Sequence, residues 1–351
     1  MPLELVAIEP RKPVLREYTD KPLEPNQVRF KTEFAAAKHG TELGLYRKAS
    51  VGARQRYDGE WQMFFPEEGR NIFPVGLGNM AVGVVTEVGS SVKRFKPSDR
   101  VFCHTNCRET VTRPEDNADL RHLPEGMSWK SAVCIDPAEF ALGAVRDGHV
   151  RVGDAAAVFG LGAIGLFIVQ FARMQGAEVV FAVDPIRLRR EVAMSVGADA
   201  VFDPNACDVS YEIKKATGKR GADVNFEVSG NYNALHHAIR SVAFGGNVVT
   251  VAVYKEAKGG LELGAEWHIN RPNLISTRAC SDPNRDHPRW DDRRIIDTCF
   301  RLLRDGKLQS EDIVQPVVPF EDVVEAYIAI DEYPERSVKL GIEFSNPTGS
   351  R

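Results

Sequence analysis

The hexad Gly160-Leu161-Gly162-Ala163-Ile164-Gly165 is the tightest constraint on how this chain can fold. It follows a short apolar run, DAAAVFG, and opens a segment with helical spacing. The next apolar run, EVVFAVD, ends in Asp184, 24 positions after Gly160. A bare GxGxxG says little, and a glycine-rich turn without a ligand is its bland reading. Between a strand and a helix, with an acid at that spacing, it specifies a dinucleotide-binding βαβ unit. Gly160 permits the tight turn, Gly162 lets a pyrophosphate approach the backbone, and Gly165 lets the helix pack on the strand. The helix start at Ala163 and Ile164 offers amide N–H groups and a partial positive charge to phosphate. Asp184 can accept both ribose hydroxyls and would repel a 2′-phosphate, which favours NAD over NADP. Arg187, Arg189 and Arg190 come soon after it and weaken that preference.

The surrounding pattern agrees. From about residue 137 strand-like and helix-like segments alternate: EVVFAVD, LRREVAMSVGA, DAVFD, SYEIKKATG, ADVNFEVSG, NALHHAIRSVAFGG, NVVTVAV. This spacing predicts βαβ units and a parallel sheet. The first third differs. LELVAI and QVRFKTEF read as strands, and VGLGNMAVGVVTEVGSSVKRFKPSDRVF as two or three strands of a small barrel. Residues 47–74 mix basic, aromatic, Gly and Pro residues without a period and read as a long loop, a frequent carrier of function. After the polar stretch DPNRDHPRWDD come helices near 292–304 and 321–331 and a last strand, VKLGIEF.

Composition excludes whole classes of function. The 351 residues are 43% hydrophobic and carry a formal charge of −4, which rules out disorder and gives no general attraction to nucleic acid or membrane. No apolar run approaches the roughly 18 residues of a transmembrane helix, and the opening MPLELVAIEPRKPVLREYTD lacks the apolar core of a signal peptide. The six cysteines form no CxxC pair, so free thiols in a reducing compartment are expected. The expectation is a soluble, cytoplasmic protein.

Taken together, the chain resembles the medium-chain dehydrogenase/reductase family, which contains the zinc alcohol and polyol dehydrogenases. QVRFKTEF with HGTEL is similar to the strand and first zinc-ligand motif. VGLGNMAVGVVTEVGSSVKRFKPSDRV is similar to the family's barrel signature, and GLGAIG with Asp184 to its cofactor loop. GADVNFEVSG and FGGNVVTVAVY resemble its later cofactor-domain strands, whose ends place Ser229 and Ala252 near a nicotinamide. SVKLGIEF resembles the closing strand, whose basic residue, here Lys339, touches the pyrophosphate. The resemblance implies an α/β architecture: a GroES-like β-barrel domain over residues 1–137 with the return of 284–351, and a Rossmann domain with a doubly wound parallel sheet over 138–283. Homodimers or homotetramers, joined through an edge such as NVVTVAVY and the residues next to it, are likewise implied by the resemblance.

The departures concern the metal. His39-Gly40-Thr41-Glu42 stands where a zinc member has Cys-Gly-Ser/Thr-Asp. Gly78-Asn79-Met80 stands for Gly-His-Glu, and Asp136-Pro137 for Glu-Pro. His39 and Asp136 fall short of the three protein ligands of a catalytic zinc. The four-cysteine lobe is also missing. No metal is therefore expected, and side chains must do its work. The expected set is His39 or Lys38 as acid/base, Thr41 as relay and Asp136 as orienter. The polar candidates Lys38, His39, Glu42, Asn79, His104 and Arg108 suit a sugar, cyclitol or polyol better than a quinone. The reading is an NAD-dependent dehydrogenase without zinc. Its alternatives are an NADPH-dependent enone or quinone reductase and a non-catalytic dinucleotide-binding protein. Tyr57, Trp61 and Phe64 read equally as a substrate lid, core or subunit contact.

Overall fold

The computed structural model describes residues 1–254, 261–281 and 283–344. The chain divides into two compact units, Met1–Val133 together with the chain from Val314 onward, and Cys134–Ile313.

The first unit opens with β1 (Leu3–Glu9), β2 (Lys12–Glu17) and β3 (Gln27–Ala36), then helix α1 (His39–Tyr46). A hairpin of β4 (Gln55–Asp58) and β5 (Met63–Pro66) precedes β6 (Val75–Gly76), β7 (Met80–Val88), β8 (Arg100–His104), β9 (Thr110–Pro114), β10 (Arg121–His122) and the short helix α2 (Trp129–Ala132). β3 alternates apolar and polar residues and buries alternate side chains, as a strand with one face on a core must. It pairs with β7 and β9. A second, three-stranded sheet runs β2-β1-β6. The apolar core of this unit includes Leu5, Phe30, Leu77, Tyr327 and Leu340.

The second unit begins with α3 (Ile135–Gly148) and then alternates: β11 (Ala155–Phe159), α4 (Ala163–Met174), β12 (Val179–Val183), α5 (Arg187–Ser195), β13 (Ala200–Phe202), α6 (Val209–Ala216), β14 (Ala222–Glu227), α7 (Tyr232–Ser241), β15 (Val242–Thr250), α8 (Glu266–Asn270), β16 (Asn273–Ser276) and α9 (Asp292–Arg304). The six strands are parallel, in the order β13-β12-β11-β14-β15-β16. This is the doubly wound order whose reversal point lies beside β11. β11, AAAVF, is buried throughout, because a central parallel strand is covered on both faces. α4 is nearly as apolar and largely buried. Side chains of Asp208, Asn231 and Asp291 cap the starts of α6, α7 and α9 by accepting backbone N–H groups.

The chain then returns to the first unit with β17 (Val314–Pro319), α10 (Val323–Glu332) and β18 (Lys339–Glu343). β18 pairs with β17 in parallel and with β3 antiparallel, which adds both returning strands to the sheet of β3.

Three expectations change. The return falls at Val314 and not 284, because α9 packs on α3 and stays with the parallel sheet; the first crossing falls at Val133, since α3 as a whole belongs to that unit. SVAFGG does not extend a helix: α7 stops at Ser241 and β15 starts at Val242. Residues 47–74 are not wholly loop, for they hold the β4–β5 hairpin. Asp282, in the DPNRDHPRWDD stretch, and residues 255–260, in the expected subunit edge, lie outside the described residues. Among the described residues no helix is long and apolar enough to cross a membrane.

Candidate active site

The dinucleotide cradle is built as the spacing demands. Gly160 ends the β11 turn at φ +97°, a left-handed backbone that side chains resist. A Cβ there would also stand 2.8 Å from the Ser229 amide nitrogen. A Cβ on Gly165 would strike the carbonyl oxygen of Gly160, so the start of α4 sits directly on the turn. Gly162 differs. It is the N-cap of α4, supplies no side-chain cap, and has nothing within 4 Å of its Cβ direction. The helix start at Ala163 and Ile164 thus presents backbone amides beside open space, which fits a pyrophosphate.

Asp184, just after β12, is buried. Its carboxylate accepts the Leu161 and Ile186 amides, each at 2.8 Å, and so ties the glycine loop to the end of β12. Of the nearby arginines, Arg187 pairs with Glu191 at 2.7 Å. Arg190 donates to the Asp184 carbonyl at 2.6 Å and pairs with Asp203 at 3.1 Å. Arg189 lies 3.9 Å from the Asp184 carboxylate, and its own burial holds its guanidinium below its ordinary pKa.

The ends of β14 and β15 supply a group that sequence reading passes over. Glu227 is fully buried and accepts from the Ser229 amide at 2.8 Å, from the Ser229 hydroxyl and from the Tyr254 hydroxyl at 2.5 Å. Burial raises the Glu227 carboxyl above its ordinary value, and the Ser229 and Tyr254 donors oppose that. Burial and the Glu227 charge together push the Tyr254 phenol up. The acid therefore fixes the Ser229 turn against Gly160. Ala252 lies beyond β15 at a partly exposed bend. The signal that could have found Glu227 is an acid ending an apolar parallel strand.

In the barrel unit, Glu42 organises the second cluster. Its carboxylate accepts the Lys38 amide with one oxygen and the Gly78 amide with the other. This joins the Lys38-His39 and Gly78-Asn79 segments. Burial pushes Glu42 from an ordinary 4.5 to about 7, against the pull of those amides and of the Lys339 and Lys38 charges. Thr41 is exposed on α1, and Lys38 and His39 are half-buried. The Leu340 amide donates to His39 Nε2 at 2.9 Å. That bond fixes the neutral ring with its proton on Nδ1. The expected base role for His39 is thereby corrected: the accepting lone pair is engaged, and the ring is a donor at Nδ1.

Lys339 is anchored by the barrel unit. It is 3% exposed, and its ammonium donates to the Ala37 carbonyl at 2.8 Å inside the barrel unit. Asp136 is buried in the first turn of α3, in the other unit. Asn79 carries more than its sequence position suggests. Its Oδ1 is buried and accepts no hydrogen bond among the described residues, a costly state unless a donor arrives. His104 Nδ1 lies 3.7 Å from Asp119, and Arg108 stacks 4.0 Å over the Tyr18 ring.

Few zinc donors stand at the positions expected to hold the metal. His39 Nε2 is committed, and an amide and a thioether stand at positions 79 and 80. Among the described residues no three His, Cys, Asp or Glu side chains gather as a metal-binding group.

Comparison with known proteins agrees with both units. Residues 35–160 match the alcohol dehydrogenase GroES-like domain and 163–284 the zinc-binding dehydrogenase domain. D-guloside 3-dehydrogenase of Escherichia coli (strain K12) is 44% identical over 348 residues, covering 97% of this chain and 99% of that one. (R,R)-butanediol dehydrogenase of Bacillus subtilis (strain 168) is 29% identical over 277 residues, covering 72% and 76% of the two chains. Among solved structures, 2R,3R-butanediol dehydrogenase from Bacillus subtilis superposes with a TM-score of 0.77 at 22% identity, covering 99% of this chain and 100% of that one. Galactitol-1-phosphate dehydrogenase from Escherichia coli does so with a TM-score of 0.75 at 18% identity, over 97% and 99% of the chains; these two likenesses speak to the fold. With a GroES-like barrel, a six-stranded Rossmann sheet and a relative matched along almost its whole length, the chain belongs to the medium-chain, zinc-type alcohol/polyol dehydrogenase family.

Proposed function

We propose that the chain is an NAD-dependent dehydrogenase that oxidises a secondary alcohol of a sugar, cyclitol or polyol-like substrate, or runs the reverse reduction, without a catalytic zinc. The observation that carries this is the pairing of Lys38-His39 with Gly78-Asn79 through Glu42, with side-chain hydrogen-bonding groups where zinc ligands would stand. Relatives named D-guloside 3-dehydrogenase, sorbitol dehydrogenase and D-xylulose reductase support a polyhydroxylated substrate. Asp184 supports NAD, because its carboxylate would repel a 2′-phosphate and two of the three nearby arginines have other partners.

A nicotinamide held by the Gly160–Gly165 loop would supply the acceptor for the hydride of the carbinol carbon. The residues handle the remaining proton. His39 lies in the segment expected to face the substrate oxygen and stabilises the charge that grows there. Asn79 Oδ1 accepts a neighbouring substrate hydroxyl, which satisfies its buried lone pairs. Lys38, as the free amine, takes the alcohol proton through the Thr41 hydroxyl. The orienting role expected of Asp136 is part of this proposal.

The test is one preparation dialysed against a strong chelator, assayed for metal and for NADH formation with a panel of sugars, glycosides and cyclitols. Full activity without metal is expected. Activity restored only by zinc overturns the zinc-free part, and silence across the panel overturns the substrate class. Lys38→Met is expected to lower kcat by at least about tenfold, and Asp136→Asn to shift the pH profile.

A further inference from the structure

A cavity of about 270 Å³ is lined only by residues of the Cys134–Ile313 unit. Arg146 comes to it from the last turn of α3, and His149 and Arg151 from the turn that follows. Gln175 comes from the end of α4, and Asp286 and Arg289 from the segment before α9. Two buried valines complete the lining. Gln175 is the C-cap of the helix whose N-cap is Gly162, and a helix of that length spans roughly 18 Å. Arg151 likewise precedes β11, and Gly160 follows it. The cavity therefore sits at the opposite edge of the parallel sheet from the glycine loop.

Three arginines and a histidine meet one acid in that lining. Arg146 is held in place. It pairs with Asp286 and lies 3.7 Å over the Trp290 ring, which also carries Arg294 at 4.2 Å. Its Nε is a buried donor without an acceptor among the described residues. Arg151 and Arg289 differ. Both are exposed, and neither guanidinium has a hydrogen bond or an ion pair among the described residues. Other acids at this end have partners: Asp147 lies 3.5 Å from Arg285 and accepts the Thr277 hydroxyl at 2.6 Å, and Asp154 accepts the Arg151 amide at 2.8 Å. The negative end of α3 accounts for one cation in its last turn, which is Arg146. It does not account for Arg151 and Arg289, which two other segments bring to the same cavity. Cations gathered in this way repel one another, and a bound anion relieves that repulsion.

We propose that this cavity binds a phosphate monoester of a small organic molecule, at a site separate from the dinucleotide cradle. Guanidinium groups present paired N–H donors that match phosphate oxygens. Asp286 already offsets Arg146, so the charge left for the ligand is that of Arg151 and Arg289, equal and opposite to a phosphate ester dianion. The volume of about 270 Å³ lies near the lower end of the roughly 300–1,000 Å³ of small-molecule sites, which leaves room for more than a bare anion. The valines and the Gln175 amide suit the organic part. None of this depends on which alcohol the protein oxidises.

The probe is glucose 6-phosphate, titrated calorimetrically into protein saturated with NADH so that the glycine loop is filled. Saturable binding with a Kd below about 1 mM is expected. Arg151→Gln and Arg289→Gln should each weaken it about tenfold. Both variants should keep the thermal midpoint of the unliganded protein, because neither guanidinium has a partner to lose. Absence of saturable binding up to about 10 mM overturns the site. An affinity unchanged in both variants places the ester elsewhere, the substrate site included, and overturns it as well. Binding that disappears once NADH is present assigns the phosphate to the glycine loop, against the proposal. Inorganic phosphate held as tightly as glucose 6-phosphate overturns the ester class and reduces the ligand to the anion.

Discussion

Glu42 shows how one side chain sets the chemistry of its neighbours. Its carboxylate holds the Lys38 and Gly78 amides from inside the barrel, and burial lifts it from 4.5 to about 7. The folded protein therefore keeps a proton on Glu42 that the unfolded chain loses above about pH 4.5. Between these values the native state binds more protons, so stability falls as pH rises toward 7 and levels off beyond it. The shift corresponds to roughly 3 kcal/mol across that window. Urea unfolding of the wild type from pH 4.5 to 8 should show the slope, and Glu42→Gln should flatten it. An unchanged slope in the variant would place the linked proton elsewhere. A second contrast belongs to the glycine loop. Gly165→Ala drives a methyl into the Gly160 carbonyl and should lower both stability and cofactor affinity. Gly162→Ala meets nothing in the protein, so its thermal midpoint should hold while its NAD Kd rises about tenfold or more. Equal effects on affinity and midpoint in both variants would mean that no ligand occupies the space beside Gly162.

Elements are legible where a period or a fixed spacing exposes them. The parallel strands, each a short apolar run bounded by glycine or a turn, and the cofactor loop can be read from residues alone. The strand alternation of QVRFKTEF marks β3, which carries β7, β9 and β18. The hairpin is not legible, because its strands bury neither face and so leave no alternation to detect. His39's tautomer is hidden for another reason: its partner, the Leu340 amide, comes from the far end of the chain. The boundary at Val314 escapes sequence reading because α9 looks amphipathic whichever unit it covers. Helix caps lie between these extremes. Asp208 accepts the Ser210 and Tyr211 amides at the start of α6 and also receives two nitrogens of Arg240 from α7, at 3.1 and 2.9 Å. Arg240 holds the Asp208 carboxyl below its ordinary range. Asp208→Ala removes cap and ion pair together and should cost about 1–2 kcal/mol in chemical denaturation, with Asp208→Asn losing less because its amide oxygen still caps. Equal losses would assign the whole effect to the charge.

At the scale of the molecule, the two units keep separate cores, one around Phe30, Tyr327 and Leu340, the other around Phe159, Phe181 and Ile239. The loop from Gly160 to Gly165, Asp184 and the Ser229 turn all belong to the second. A dinucleotide held by these groups binds the folded parallel sheet and not the unfolded chain, so it stabilises that unit by mass action. At a hundredfold excess over its Kd the gain is about 2.7 kcal/mol. Calorimetry with NAD should therefore raise the transition that carries the second core, and the same concentration of NADP should raise it less, because the phosphate would face the Asp184 carboxylate. The Gly162→Ala variant separates this from ionic effects, since both cofactors should lose their shift there together. An NADP shift as large as that of NAD would reverse the cofactor assignment. It would mean that Arg189, 3.9 Å from Asp184, neutralises the carboxylate well enough to admit a phosphate. Arg189→Ala would then suppress the NADP shift selectively, whereas under the NAD assignment it widens the gap in favour of NAD by removing the cation nearest the acid.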